Sequence, residues 1–357
     1  EFSPSIYTST GWNIAGGKRI TTDGNLEYLL DFNLKISSDP LFGYDGGLLC
    51  ADFQFRRGGF PSHEAGSYQY LTYIEARNLC QLFELWYMQS FSKDRYWIKI
   101  GKMDCSEIID YSIYAQNYQY QSFENIPTIR NVPYFPDSAM GVTVYLNPVD
   151  WFSLSAGLLD GSAVMGVNTG NIGVFGEFFN DLAHHAFMFG EVDFSWLKDK
   201  SHFGRIGVGA WRNTSTVKKF SGGTAQGMQG MYLLLDQTIW KPQDSSDPRS
   251  VGFFTQTGFT NPNTSHIKQL YACGVNWTGI LPQRSADQFG VGFCMSRFSL
   301  VPGSGFVKPT ESVFETYYIY SPYEWIDIQP DIQYIITPGG SGIPYALVAL
   351  FNINMTF

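Results

Sequence analysis

The chain has 357 residues, of which only 15% are charged and 17% are aromatic, and its formal net charge is −9. A soluble domain usually carries about a quarter charged residues, and the acidic balance with no dense Lys/Arg run excludes a nucleic-acid partner. No segment approaches the roughly 20 unbroken apolar residues of a membrane-crossing helix, so lipid, if it is met, is met by strands, whose alternation leaves overall hydropathy near neutral.

Alternation with a period of two recurs along the whole chain. It predicts strands over 3–14, 25–37, 46–57, 79–90, 94–103, 138–146, 150–160 and 186–197. Eight more follow over 202–212, 227–241, 249–260, 268–280, 286–298, 311–320, 323–337 and 344–357. In "NLEYLLDFNLKI", Leu26, Tyr28, Leu30, Phe32, Leu34 and Ile36 share one face, while Glu27, Asp31, Asn33 and Lys35 fall on the other. "GLLCADFQFR" sets Leu49, Ala51, Phe53 and Phe55 against Cys50, Asp52, Gln54 and Arg56. "RYWIKIGK" opposes Tyr96, Ile98 and Ile100 to Arg95, Trp97 and Lys99, and "VFETYYIY" opposes Phe314, Thr316, Tyr318 and Tyr320 to Glu315 and Tyr317. Most segments have the length of a tilted strand crossing a bilayer, about 9–11 residues.

The connections alternate in length. Long ones are expected at 58–78, 104–137, 161–185, 213–226 and 299–310, and short ones at "FSKD", "NPVD", "LKDKS", "LPQRSA" and "SP". Short turns on one side and long loops on the other are the mark of an outer-membrane barrel, and an even strand count puts both termini on the short-turn side. Residues 67–77 also alternate somewhat and are read as loop, which keeps that parity. No fixed-period repeat and no linker-like stretch appears, so residues 1–357 are read as one domain.

Two late segments sharpen the reading. In "EWIDIQPDIQYIIT", Ile326, Ile328, Ile332, Tyr334 and Ile336 are expected to face lipid, and Asp327, Gln329, Asp331 and Gln333 the water of a pore. Pro330 cannot donate to a strand ladder, and a closed barrel has no edge to hide it, so a bulge is expected there. The last strand, "YALVALFNINMTF", alternates apolar residues and ends on Phe357, as in chains read by outer-membrane assembly machinery.

"FELWYMQSF" followed by "IKIGKMD", and then "ETYYIYSPYEWIDIQPDIQYIITPGG" before a terminal strand, resembles the OprB-type carbohydrate-selective porins. The matching residues are Glu84, Leu85, Trp86, Tyr87 and Gln89, then Gly101, Lys102 and Asp104. In the C-terminal block, the most specific part, they are Glu315, Tyr317, Pro330, Asp331, Gln333, Tyr334, Pro338 and Gly339. The resemblance covers most of the chain in order. It implies an all-β fold, a transmembrane antiparallel barrel of about sixteen strands in a bacterial outer membrane, admitting glucose and related sugars by diffusion. The segment before Gly16 is shorter than in that family and the cysteine content higher.

A channel needs a narrowed, water-filled lumen with donors and acceptors that replace part of the solute's hydration shell. Strand positions expected to offer them are Glu27, Asp31, Lys35, Asp52, Gln54, Arg56, Glu84, Trp86, Lys99, Glu191, Asp193, Glu315, Asp327, Asp331 and Gln333. Mixed signs with an acidic excess suit neutral or cationic solutes, basic amino acids being the alternative to sugars. The same charges could simply hold the wall together by cross-strand pairs. The 104–137 connection is too long for an idle loop. With seven aromatics, it is expected to fold into the barrel mouth with Glu107, Asp110, Glu124 and Arg130 at the constriction, seconded by Glu75 and Arg77.

Catalytic, metal and cofactor sites are not expected. Cys50, Cys80, Cys105, Cys273 and Cys294 are scattered and odd in number, without a CxxC pair. The adjacent His184 and His185 would point to opposite faces of a strand, and His63, His202 and His266 are isolated. No GxSxG, P-loop or HExxH occurs, and "GRIGVG" reads as glycines relieving crowding in a curved sheet. The chain starts at Glu1 without a charged, apolar leader, so a processed form is expected. Partners are small solutes, outer-membrane lipid and the assembly machinery, with a homotrimer left open. A soluble sandwich or lectin, and an outer-membrane enzyme or adhesin barrel, are the alternatives from other classes.

Overall fold

The computed structural model describes residues 1–39, 43, 45–129, 132–172, 185–197, 202–243 and 247–357. Sixteen strands lie among them. The first eight are β1 (Phe2–Gly16), β2 (Asn25–Ser37), β3 (Gly47–Gly58), β4 (Leu79–Phe91), β5 (Tyr96–Met103), β6 (Ala139–Val149), β7 (Phe152–Asp160) and β8 (Ala186–Trp196). The others are β9 (Gly204–Lys218), β10 (Thr224–Trp240), β11 (Ser250–Thr260), β12 (Ile267–Thr278), β13 (Gln288–Phe298), β14 (Thr310–Tyr323), β15 (Ile326–Ile336) and β16 (Tyr345–Thr356). Each pairs antiparallel with the next, and β1 pairs with β16 through Ile6↔Met355 and its neighbours, closing the barrel. Closure satisfies every strand edge, which a sheet immersed in lipid requires.

The period of two sorts side chains as the sequence predicts. On β15, Ile332 is 50% exposed on the outer face, and Gln333 beside it is fully buried. On β14, Phe314 is exposed and Glu315 buried; on β5, Ile98 and Ile100 are exposed. Aromatic side chains gather at the short-turn end, where Tyr323 stacks on Trp325 at 5.8 Å, Trp325 on Phe357 at 6.0 Å and Trp151 on Phe194 at 6.2 Å. Such girdles mark the interface between hydrocarbon and water.

Three local expectations fail. Residues 213–226 do not form a loop: β9 and β10 continue to Lys218 and Thr224, which pair, and a tight turn through Gly222 and Gly223 at φ 97° and 75° joins them. "NTSTV" carries β-branched side chains that favour extension, so the hairpin grows past the barrel rim. The turn expected at "SP" lies three residues later, at Glu324 and Trp325. Pro330 causes no bulge. Its register with β16 is unbroken through Pro330↔Phe351, and pairing with β14 merely lapses between Tyr317↔Asp331 and Tyr320↔Ile328 before resuming in step. A missing N–H costs one ladder bond and needs no inserted residue. The irregularity falls between Tyr320 and Tyr323 instead.

Inside the barrel lies the hydrophobic core, built where the two longest described loops turn inward. One, at 59–78, carries a short helix, α1 (Pro61–Ala65), and the other, at 104–138, carries α2 (Gln121–Glu124). Tyr118, Phe123, Ile126, Ile109 and Met103 are buried there against the wall residues Phe254 and Tyr317. Residues 67–77 form no strand, as expected.

Candidate channel constriction

The inward loops are held by carboxylates of the wall. Glu315 accepts the backbone N–H groups of Gln119 at 2.5 Å and Tyr120 at 3.0 Å. Glu191 accepts the N–H of Asp110 at 2.8 Å and the Tyr232 hydroxyl at 2.5 Å. Glu311 accepts the N–H of Tyr68 at 2.8 Å and the Tyr120 hydroxyl at 2.6 Å, and Glu84 accepts the N–H of Asp104 at 2.7 Å. Amides complete the set: Gln329 donates to Asn117 O at 2.7 Å, Gln333 to Leu71 O at 2.9 Å and Gln256 to Phe123 O at 2.9 Å. A buried backbone donor left unpaired costs free energy, and a charged acceptor forms the stronger bond.

Glycines on the inner wall make room for the loop. A Cβ at Gly252 would lie 2.0 Å from the Tyr114 ring, one at Gly274 2.5 Å from the Tyr118 hydroxyl, and one at Gly292 2.5 Å from the Tyr118 ring. In "GRIGVG" the space serves the wall itself: a Cβ at Gly209 would meet the ring of Tyr232, its cross-strand partner on β10, at 2.0 Å. The motif residues shared with the resembling family thus sit largely at the roots and seats of the loops. Lys102 Nζ donates to the carbonyls of Leu82, Gly170 and Ile172, and Asp104 accepts the N–H of Ser106 at 2.7 Å and of Phe135 at 3.2 Å.

The candidate pathway residues therefore fall into two groups. Glu84, Glu191 and Glu315 hold loops. Glu27 and Arg56 form an ion pair at 2.5 Å with both side chains fully buried, and Thr72 donates to Glu27. Asp110 is buried inside its loop, where it accepts the N–H of Ile126 at 2.8 Å and the Tyr134 hydroxyl. Asp331 is buried as well. Glu75 caps α1 and the turn after it through the N–H groups of Ser62 and Leu71, and burial, then Glu27, pushes its carboxyl up to about 8. Arg77 pairs with Asp137 at 2.7 Å. Arg130 lies outside the described residues, as does His184.

The second group keeps contact with solvent. Glu107 and Lys35 are exposed, and Asp31, Asp104, Glu124, Asp327 and Lys99 are half-buried. Lys99 Nζ sits 4.2 Å over the Trp86 ring, and Gln54 donates to Asp31 at 3.3 Å beside the buried Asp52. Tyr73, edge-on to Tyr7 at 6.0 Å, donates to Asn354 at 3.2 Å. Burial, then Asp104, pushes the Glu124 carboxyl up to about 7, and burial pushes Asp104 up to about 6. Asp193 pairs with Arg205 at 3.5 Å, and Arg205 also pairs with Asp236 at 3.0 Å. Arg205, Asp236 and Glu311 escaped the sequence reading, although strand parity places Arg205 on the inner face with Gly207 and Gly209. Among the described residues no group of three or more metal-ligating side chains occurs.

A closed barrel with an outward apolar band and loops pinned inside its lumen defines the porin class of membrane channel. Within that class the chain belongs to the OprB family of carbohydrate-selective porins, whose model matches residues 17–357. The high-pH structure of Pseudomonas putida OprB is similar at a TM-score of 0.87 with 16% identity, covering 100% of this chain and 94% of that one. The outer-membrane channel DcaP of Acinetobacter baumannii is similar at 0.57 and 10%, covering 100% and 96%. A mutant of the Rh. blastica porin is similar at 0.52 and 9%, covering 100% and 99%. No curated protein matches the sequence by direct comparison.

Proposed function

We propose that this chain is an outer-membrane porin through which small neutral carbohydrates, glucose among them, diffuse passively past an eyelet formed by the loops at 59–78 and 104–138. The observation that supports it most is the anchoring of both loops inside the lumen, which narrows the channel at fixed places. On the long-loop side, a cavity of about 350 Å3 is lined by Gln69, Gln121, Asn125, Asn168, Tyr68 and Tyr134, by Asp137, which Arg77 pairs, and by apolar side chains. Amides and phenols serve hydroxyls in either direction of hydrogen bonding. Asp31, Asp52, Lys99, Glu107, Glu124 and Asp327 are the groups we assign to the pathway, and their acidic excess disfavours anionic solutes. Phe357, exposed at the short-turn end, serves as the assembly signal.

Liposome swelling tests the reading. Glucose is expected to enter reconstituted liposomes several times faster than sucrose and at least as fast as arginine. Arginine entering much faster than glucose would replace the sugar assignment with basic amino acids while leaving the porin intact.

A further inference from the structure

The described arginines divide by whether a carboxylate answers them. Arg19, Arg56, Arg77, Arg95, Arg205, Arg249 and Arg284 each form an ion pair, whereas Arg57, Arg212 and Arg297 form none among the described residues. The unpaired three share a face and a height. Alternation turns each outward, in line with Phe55 on β3, Ala210 on β9 and Met295 on β13. Arg57 and Arg297 stand next to last at the long-loop ends of their strands, and Arg212 faces Met188 near the start of β8. Among the described residues no exposed carboxylate faces outward from a strand. Asp160, which parity puts on that face, is buried and accepts the N–H of Ser162 at 2.8 Å.

A chain of net charge −9 would place acids on such a surface by composition alone. The long loops of these barrels face the cell exterior, so the three arginines stand at the headgroups of the outer leaflet. An unpaired guanidinium is costly in hydrocarbon and is drawn to anionic headgroups. Arg57 stands on a distant strand and donates to the carbonyls of Arg56 and Leu79 at 3.0 and 3.1 Å. Arg212 and Arg297 instead flank a groove.

One line of cross-strand partners runs over the outer wall through Ala210, Met231, Phe259, Gln269 and Arg297. The neighbouring outward pair toward the long loops is Arg212 and Gln229. Met231 is 62% exposed, and Arg297 donates to Gln269 at 2.8 Å. A cavity of about 680 Å3 opens here, with Ala210, Arg212, Gln229, Met231, Phe259 and Asn261 among its walls. Its outward apolar side chains lie toward mid-wall and its guanidinium and amides toward the rim, the order of an acyl chain beneath a polar headgroup. Arg212 and Arg297 are four strand spacings apart, roughly 20 Å. That is too far to close on one small anion and suits a headgroup carrying phosphate at both ends, which guanidinium groups bind in bidentate fashion.

We propose that this outward groove binds a phosphorylated lipid of the outer leaflet, its phosphates on Arg212 and Arg297 and an acyl chain over Met231 and Phe259. The site lies outside the channel and does not depend on which solute the channel passes.

Native mass spectrometry of the full barrel released from detergent tests this, with bisphosphorylated lipid A as the probe. Wild type is expected to bind it about tenfold more tightly than lipid A stripped of both phosphates. Arg212→Gln and Arg297→Gln should each weaken binding about fivefold, and together more than about tenfold. Arg212→Lys, which keeps the charge, should lose less than Arg212→Gln and carries the test if the glutamine variant inserts poorly. Lys35→Gln, which removes an inward cation, should bind as wild type, and heat-resistant mobility on gels shows that each variant is folded. Equal binding of the stripped lipid, or unchanged binding by the folded double variant, would overturn the site. Full displacement of lipid A by excess inorganic phosphate would overturn the lipid in favour of a free anion. Lipid-free barrels that pair in the spectra, and separate in the double variant, would give the groove to a second copy of the chain instead.

Discussion

Ile332 and Gln333 are neighbours on β15, yet the first meets lipid and the second ends a loop by donating to the Leu71 carbonyl. Ile332→Lys would place an ammonium on the lipid face near mid-strand, where it costs about 2–4 kcal/mol at the bilayer midplane. Urea unfolding of the inserted barrel should show that loss, and a variant as stable as wild type would remove Ile332 from the lipid band. The buried pair inside tells a different story. Arg56→Leu would strand the Glu27 carboxylate among groups that cannot replace its partner, and breaking such a pair costs about 3–5 kcal/mol. The expected outcome is a barrel that loses heat-resistant mobility on gels at a lower temperature. Asp331, read from parity as a pore group, is buried beside the loop seat, so Asp331→Asn should act on loop packing and leave open-channel conductance nearly unchanged.

Loops are held by groups that strand parity finds but cannot interpret. Parity put Glu84, Glu191 and Glu315 on the inner face correctly. It could not say that each faces a backbone donor of an incoming loop, because that depends on contacts across 20 to 196 residues of sequence. Glu315→Gln keeps one acceptor and presents an amide to the loop's own donors, leaving a buried N–H short of a partner at about 1–3 kcal/mol. Single-channel recordings should show larger and noisier current as the 104–138 loop loosens. Gly292→Val should do the same by sterics, since a Cβ there already meets the Tyr118 ring at 2.5 Å. Quiet, wild-type current from both variants would mean that the loop does not set the pore.

For the whole molecule, the acidic lining proposed above is expected to set ion preference and its pH dependence. Glu124 and Asp104 have carboxyls raised to about 7 and about 6, so both are charged at pH 8 and neutral at pH 5. Cation selectivity should therefore fall as pH drops through that window, which reversal potentials in a KCl gradient measure directly. A selectivity constant from pH 8 to pH 5 would place these groups away from the ion path.

Alternation by itself determined the sixteen strands, their inner and outer faces and the parity of the termini, because a strand in lipid has to segregate side chains residue by residue. The hairpin at 213–226 and the ladder at Pro330 were misjudged where local turn chemistry competes with pairing to a neighbour. Length and aromatic content led to the expectation that 104–137 enters the barrel mouth, but how the lumen is filled belonged to the tertiary structure. Which acids meet open lumen, which grip a loop and which glycines make a seat depend on where two long loops come to rest. That resting place is chosen by packing among distant strands, and no periodicity within a segment records it.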